Sequence, residues 1–339
     1  MRALRLIEFG HPLAAAMVPN PDPKPGEVLV RVRACGICHS DAHYRSGVSA
    51  IVLPRTPGHE VAGVVERCPG NELAVGTNVA LHYLVACGRC DRCLGPGEQF
   101  CREVQMLGKD RDGGYAEYVV VPVANAVPVP DGVPLEHAAV MMCSTATAYH
   151  ALRLAALSSG DVVAVIGFGG LGVSALQLAR TLGAGRVAAL DVVPQKLDRA
   201  AALGAVAIDA GAGDVAAEIR RFAGAHGIDV ALDFSGQPET SGLVLAELAP
   251  QGRLVLVALS RTPPPFDPYR DLVGKEARIV GCSDHLLGEL PELLELARVG
   301  RIDLTAAVSA TVPLATDPVN ATLDGLERGS ANLRTVILP

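Results

Sequence analysis

Four cysteines fall within fifteen residues of this chain, Cys87-Gly-Arg-Cys90-Asp-Arg-Cys93-Leu-Gly-Pro-Gly-Glu-Gln-Phe-Cys101, a C-x2-C-x2-C-x7-C spacing. Cysteines three apart turn both sulfurs toward one point, and a third step with a Gly/Pro-rich return fills the remaining corners of a tetrahedron. The run predicts a loop wrapped round one zinc ion, held by Cys87, Cys90, Cys93 and Cys101. Two disulfides are the alternative. They need an oxidising compartment. The opening Met-Arg-Ala-Leu-Arg-Leu-Ile-Glu carries three charges in eight residues, unlike a secretory leader. The expectation is a cytoplasmic chain with metal-bound cysteines.

With 339 residues there is room for two domains, each with its own core. Net charge is −7, with acids and bases interspersed and no basic block, which argues against a nucleic-acid partner. The apolar stretch from Val162 to Ala179 is broken by Gly167, Gly169, Gly170 and Gly172 and carries Ser174 and Gln177. A strand, a glycine turn and a buried helix explain it better than a bilayer span does, so no membrane partner is expected.

Residues up to about 145 read as short strands and proline-marked loops. Gly26-Glu-Val-Leu-Val-Arg-Val-Arg alternates apolar and charged positions, as a half-buried strand does. Similar runs occur at 61–66, 78–84 and 116–121. From Ala146 the pattern changes to apolar strands (162–166, 186–190, 205–208, 230–233, 253–257 and 277–280) alternating with helices (170–182, 194–203 and 239–248). Such alternation predicts a parallel sheet covered on both faces, the doubly wound α/β plan. After about residue 285 come a helix (286–298), a second helix (318–328) and a last strand (334–338), assigned to the first domain.

Val162-Val-Ala-Val-Ile166 runs straight into Gly167-Phe-Gly169-Gly170-Leu171-Gly172. A lone GxGxxG is weak in a chain with 36 glycines, but strand before and helix after are the required context. The glycines allow a pyrophosphate to approach the positive end of the helix. Asp191, at the end of the next strand, is placed to accept hydrogen bonds from an adenosine ribose and to repel a 2′-phosphate, so NAD is the expected cofactor. A turn acid or helix cap is the plainer reading of Asp191.

Three further groups have no local signature. Cys38 lies in Gly-Ile-Cys38-His-Ser40-Asp-Ala-His43, His59 in Pro57-Gly-His59-Glu60, and Cys143 in Met-Met-Cys143-Ser-Thr. Taken singly, Cys143 reads as core and His59 as a surface turn. Together with the cysteine run, GFGGLG, Asp191 with Lys196, and the closing Asn-Leu-Arg334-Thr, they give the chain an end-to-end resemblance to the zinc-dependent medium-chain alcohol dehydrogenases. That resemblance implies a GroES-like, mainly-β catalytic domain (1–146 and 286–339) and a Rossmann domain (147–285). It implies a catalytic zinc on Cys38, His59 and Cys143, with Glu60 able to approach the metal and Asp41 beside it.

A metal with three protein ligands keeps one corner open for substrate. The resemblance further implies that alcohols become aldehydes or ketones with hydride transfer to NAD, at a chain carrying two zinc ions. Ser40 and His43 resemble its proton relay, which runs through the cofactor ribose. It also implies cofactor contacts by His39 and Arg334 at the phosphates, Thr147 at the nicotinamide and Lys196 at the ribose. Tyr83, Met106 and Leu259 resemble the lining of the substrate cleft above Ser40. Members of bacterial type are commonly tetramers, and the apolar run 253–259 is a candidate sheet edge for a tetramer or dimer. A polyol, amino-alcohol or thiol-adduct dehydrogenase of the same fold, or a non-catalytic NAD/zinc redox sensor, are the competing functions.

Overall fold

The structure is a computed structural model that describes residues 1–305, 307–329 and 333–339, so Asn332 of the closing motif lies outside the described residues. The chain divides into two compact units, Met1–Ala146 with His285–Pro339, and Thr147–Asp284.

The first unit is organised by one long strand, Glu27–Ile37. It pairs antiparallel with Glu60–Arg67, with Tyr118–Pro122 and with Arg334–Leu338. The alternation in Glu-Val-Leu-Val-Arg-Val-Arg puts Val28, Val30 and Val32 into a core shared with Leu4, Leu6, Val61, Leu81, Tyr115 and Ile337. The run expected at 78–84 is two strands, Asn78–Leu81 and Leu84–Val85, the second pairing with Gln105–Met106. Four α-helices among the described residues are not expected from the sequence: His39–Ser46, Leu135–Val140, Ala146–Leu154 and Val215–Ala223. The first is too short and polar for apolar periodicity. The helix expected to begin at 286 begins at Leu290, after a 3-10 turn over Leu287–Glu289.

The second unit holds a six-stranded parallel sheet in the order Val206–Asp209, Arg186–Asp191, Val162–Ile166, Ile228–Asp233, Leu248–Leu256, Arg278–Gly281. All five residues of Val162–Ile166 are buried, as a strand covered on both faces requires. Strand order reverses beside it, and ligands of such sheets bind at the carboxyl ends where that happens. Two expectations are corrected here. The helix Pro238–Ala246 stops short of 248 because Leu248 opens the next strand. The sheet's edges are Val206–Asp209 and Arg278–Gly281, and the strand containing Arg253 lies one position inward from the latter, paired on both sides.

Candidate metal and cofactor sites

The antiparallel register of the first unit assembles a site from distant residues. Gly36 pairs with Glu60, and Ile37 pairs with Thr335. Cys38 just past one strand, His59 just before another and Arg334 at the start of a third therefore meet at one end of the sheet. Cys143 arrives on a π-helical turn, Met141–Thr145, a backbone irregularity common at functional sites. One donor atom from each of Cys38, His59, Glu60 and Cys143 lies within 4.8 Å of the others.

The electrostatics of this cluster are those of a cation site. Hydrogen bonding to Cys143 first, against burial, holds the Cys38 thiol well below its ordinary range, while the same bond and burial push Cys143 up. Burial would lower His59, but Asp41 and Cys38 carry it well above the usual imidazole value. Burial pushes Glu60 up to about 7 against the pull of Arg334. Neither oxygen of Glu60 has a hydrogen-bond partner, although Arg334 Nη1 stands 3.3 Å from Oε1 as an ion pair. Two thiols, an imidazole and an unsatisfied carboxylate, three of them buried and Cys143 half-buried, suit a divalent ion that displaces their shared protons.

Ser40 and His43 lie on the helix His39–Ser46, three residues apart and so on one face. Ser40 Oγ is 3.8 Å from Cys38 Sγ, and the rings of His39 and His43 meet edge-on at 4.8 Å. His39 is exposed and His43 half-buried. Arg334, expected at a phosphate, is 5% exposed and turned inward to Glu60. Tyr83 is buried, its ring edge-on to His59 at 5.2 Å, and Met106 is held near it by the pairing of Leu84 with Met106. Leu259 belongs to the second unit and is 81% exposed.

In the cysteine loop the four sulfurs lie within 4.8 Å of one another. Cys87 and Cys93 are 3.8 Å apart and Cys90 and Cys93 3.5 Å. A tetrahedron with metal–sulfur bonds of about 2.3 Å has edges of about 3.8 Å, whereas a disulfide would be about 2 Å. None of these four cysteines is in a disulfide. The backbone N–H of Arg89, ahead of other effects, holds Cys87 at about 6, while burial first pushes Cys93 to about 12. A bound zinc would take all four as thiolates.

In the second unit Gly167 takes φ +88, and a Cβ at Gly172 would come within 2.4 Å of the Gly167 carbonyl oxygen. This turn feeds the helix Gly170–Thr181, so its free N–H groups sit at the carboxyl end of Val162–Ile166. Leu171 lies in its first turn. Asp191 ends the neighbouring strand, with Lys196 Nζ 3.8 Å from its Oδ2. Thr147 is buried in the helix Ala146–Leu154.

Sequence reasoning missed a buried pair, His82 and His285, whose Nδ1 and Nε2 are 3.2 Å apart. Glu98 of the cysteine loop lies 3.8 Å from His82 Nε2 and accepts the Leu287 N–H. Nothing in their spacing, with some two hundred residues between them, marks such a pair.

Residues 24–131 match the alcohol dehydrogenase GroES-like domain family, and 170–298 the zinc-binding dehydrogenase family. The chain is 35% identical to an alcohol dehydrogenase of Geobacillus stearothermophilus, over 99% of each chain. It is 33% identical to an NAD-dependent alcohol dehydrogenase of Sulfurisphaera tokodaii, over the full length of both. The solved alcohol dehydrogenase of Aeropyrum pernix superposes over 100% of both chains with TM-score 0.90 and 32% identity.

Proposed function

The chain belongs to the zinc-dependent medium-chain alcohol dehydrogenase family, an oxidoreductase family, and from that premise we propose that it oxidises primary and secondary alcohols reversibly to aldehydes and ketones with NAD. The observation that carries the proposal is the buried convergence of Cys38, His59 and Cys143, with Glu60 alongside. Three protein donors leave a corner for the alcohol oxygen.

Zinc bound there supplies a Lewis acid that lowers the pKa of the alcohol toward neutrality. The reaction removes a hydride from the alcohol carbon to NAD and a proton from its oxygen. Ser40 Oγ, beside Cys38, would accept that proton while passing its own hydroxyl proton on through the cofactor ribose toward His43. His43, half-buried on the same helix face, returns it to solvent. Tyr83 against His59, with Met106 near it, shapes an apolar side of the cleft. Gly167–Gly172 receives the pyrophosphate and Asp191 the adenosine ribose, with Thr147 and Lys196 of the same unit as further cofactor contacts; Arg334, turned inward to Glu60, is not one of them.

The loop of Cys87, Cys90, Cys93 and Cys101 holds a second zinc with a closed shell, giving two per chain. Thiolate ligands of this kind suit a reducing, cytoplasmic setting, and an assembly of two or four chains belongs to the same proposal. Among the described residues no helix is long and apolar enough to cross a membrane.

Purified protein assayed with NAD and a graded alcohol panel, with zinc measured in parallel, tests the reading. Turnover abolished by a chelator supports it. One zinc per chain and no turnover on any alcohol points to the redox sensor instead.

A further inference from the structure

Asp41 is a buried carboxylate, 1% exposed, surrounded by donors from three segments. Its Oδ2 accepts the Cys38 N–H at 2.9 Å and the Tyr115 hydroxyl at 3.0 Å. Its Oδ1 accepts the Gly58 N–H at 3.2 Å and faces His59 Nδ1 at 3.6 Å. Cys38 and Gly58 belong to the two loops that present metal donors. Tyr115 comes from a third segment, and its hydroxyl is bonded to Asp41.

Its position is tightly defined. Gly113 N–H donates to the Thr56 carbonyl at 2.8 Å, Gly114 to Gly58 at 2.8 Å, and Tyr115 to Pro57 at 3.0 Å. These bonds lay the segment 113–115 along the loop that ends in His59. The Tyr115 ring then crosses Gly58, where a Cβ would come within 2.4 Å of ring Cδ1 and where φ is +97. Only glycine at 58 lets the ring pass and the hydroxyl reach Asp41. The ring itself is fully buried, so its O–H has no water to bond instead.

A carboxylate behind a metal-binding histidine fixes the ring's orientation and raises its basicity. With Oδ2 held by Cys38 and Tyr115, Oδ1 is the oxygen left to face His59. We propose that Tyr115 is a positioning residue of the catalytic metal centre, setting metal affinity through Asp41 and His59. The inference rests on the reading of Cys38, His59 and Cys143 as a zinc site.

The test uses full-length zinc-loaded protein, titrated with a chromophoric chelator, as wild type, Tyr115→Phe, Asp41→Asn and the double variant. Tyr115→Phe is expected to weaken retention at one of the two metal sites about tenfold or more. It is also expected to shift the absorption band of the cobalt(II)-substituted centre, while the metal-free protein melts as wild type does. The double variant should hold metal no more weakly than Asp41→Asn alone, because both changes act through one carboxylate. Unchanged affinity and cobalt spectrum, additive losses, or a Tyr115→Phe protein that fails to fold without metal would each overturn the proposal. A wild type that retains metal only in the cysteine loop would instead overturn the zinc-site reading beneath it.

Discussion

The carboxylate of Asp191 accepts the backbone N–H of Phe168 at 2.7 Å, so the acid ending one strand braces the glycine turn that ends its neighbour. Its other oxygen accepts Val192 and Val193 at 2.8 and 3.0 Å. The plain reading of Asp191 as a turn acid and the reading of it as a ribose acceptor are therefore compatible. One residue fixes the shape of the loop and presents a negative charge at its rim.

Asp191→Ala is expected to lower the NAD-to-NADP preference in kcat/KM about ten- to a hundredfold, the worth of a charge-assisted hydrogen bond or two. Steady-state kinetics with both cofactors measure it. Equal losses for the two would leave Asp191 as a brace alone.

Cys38→Ala removes one of three donors from the catalytic centre while leaving the strand Glu27–Ile37 in place. A catalytic metal supplies several kcal/mol of transition-state stabilisation, so kcat/KM should fall by at least about 10³-fold. Circular dichroism should stay that of the wild type. Activity within tenfold of wild type would remove this cysteine from the mechanism.

Cys90→Ala removes one of the four clustered sulfurs of the cysteine loop, where the proposed metal would contribute to folding rather than chemistry. Its expected signature is loss of one zinc per chain and a melting temperature lower by several degrees. A variant with unaltered metal content and melting would show that the loop carries no structural ion.

Burial holds His82 neutral, with its pKa lowered to about 4 although Glu98 lies 3.8 Å away; His285 and Tyr83 are its other ring neighbours. A base depressed on folding contributes stability in full above its unfolded value of about 6.5, and that contribution is lost as pH falls toward 4. The depression corresponds to about 3 kcal/mol. Denaturant midpoints between pH 7.5 and 4.5 should therefore fall less steeply in His82→Asn than in wild type. Parallel profiles would mean that His82 does not titrate in this window.

Much of this molecule was legible before folding because its signals are local. The cysteine loop is one turn-rich segment whose spacing already defines a tetrahedron. The inner strands of the parallel sheet announce themselves by apolar runs because both their faces are buried, as in Val162–Ile166, whereas the edge strands Val206–Asp209 and Arg278–Gly281 are exposed or half-buried at most positions. The glycine turn is read from a strand that precedes it and a helix that follows. Boundaries were less secure where two elements abut, as at Ala246 and Leu248, where hydrophobicity continues unbroken from helix into strand.

The cluster of Cys38, His59 and Cys143 was legible only through family resemblance. Cys38, His59 and Cys143 carry no common period, and each alone fits a core thiol or a surface turn. What joins them is strand register, Gly36 against Glu60 and Ile37 against Thr335, together with a π-helical turn. The inward turn of Arg334 to Glu60 follows from that register, while the Tyr115 hydroxyl on Asp41 and the His82–His285 pair are made by segments that meet in space. Sequence by itself determined which segments become strands, which loop gathers four cysteines and where the glycine turn falls between strand and helix, because each depends on neighbours a few residues away. Tertiary structure alone decided which distant side chains share a buried site and hence their charge, because desolvation and Coulomb interactions act through space and not along the chain.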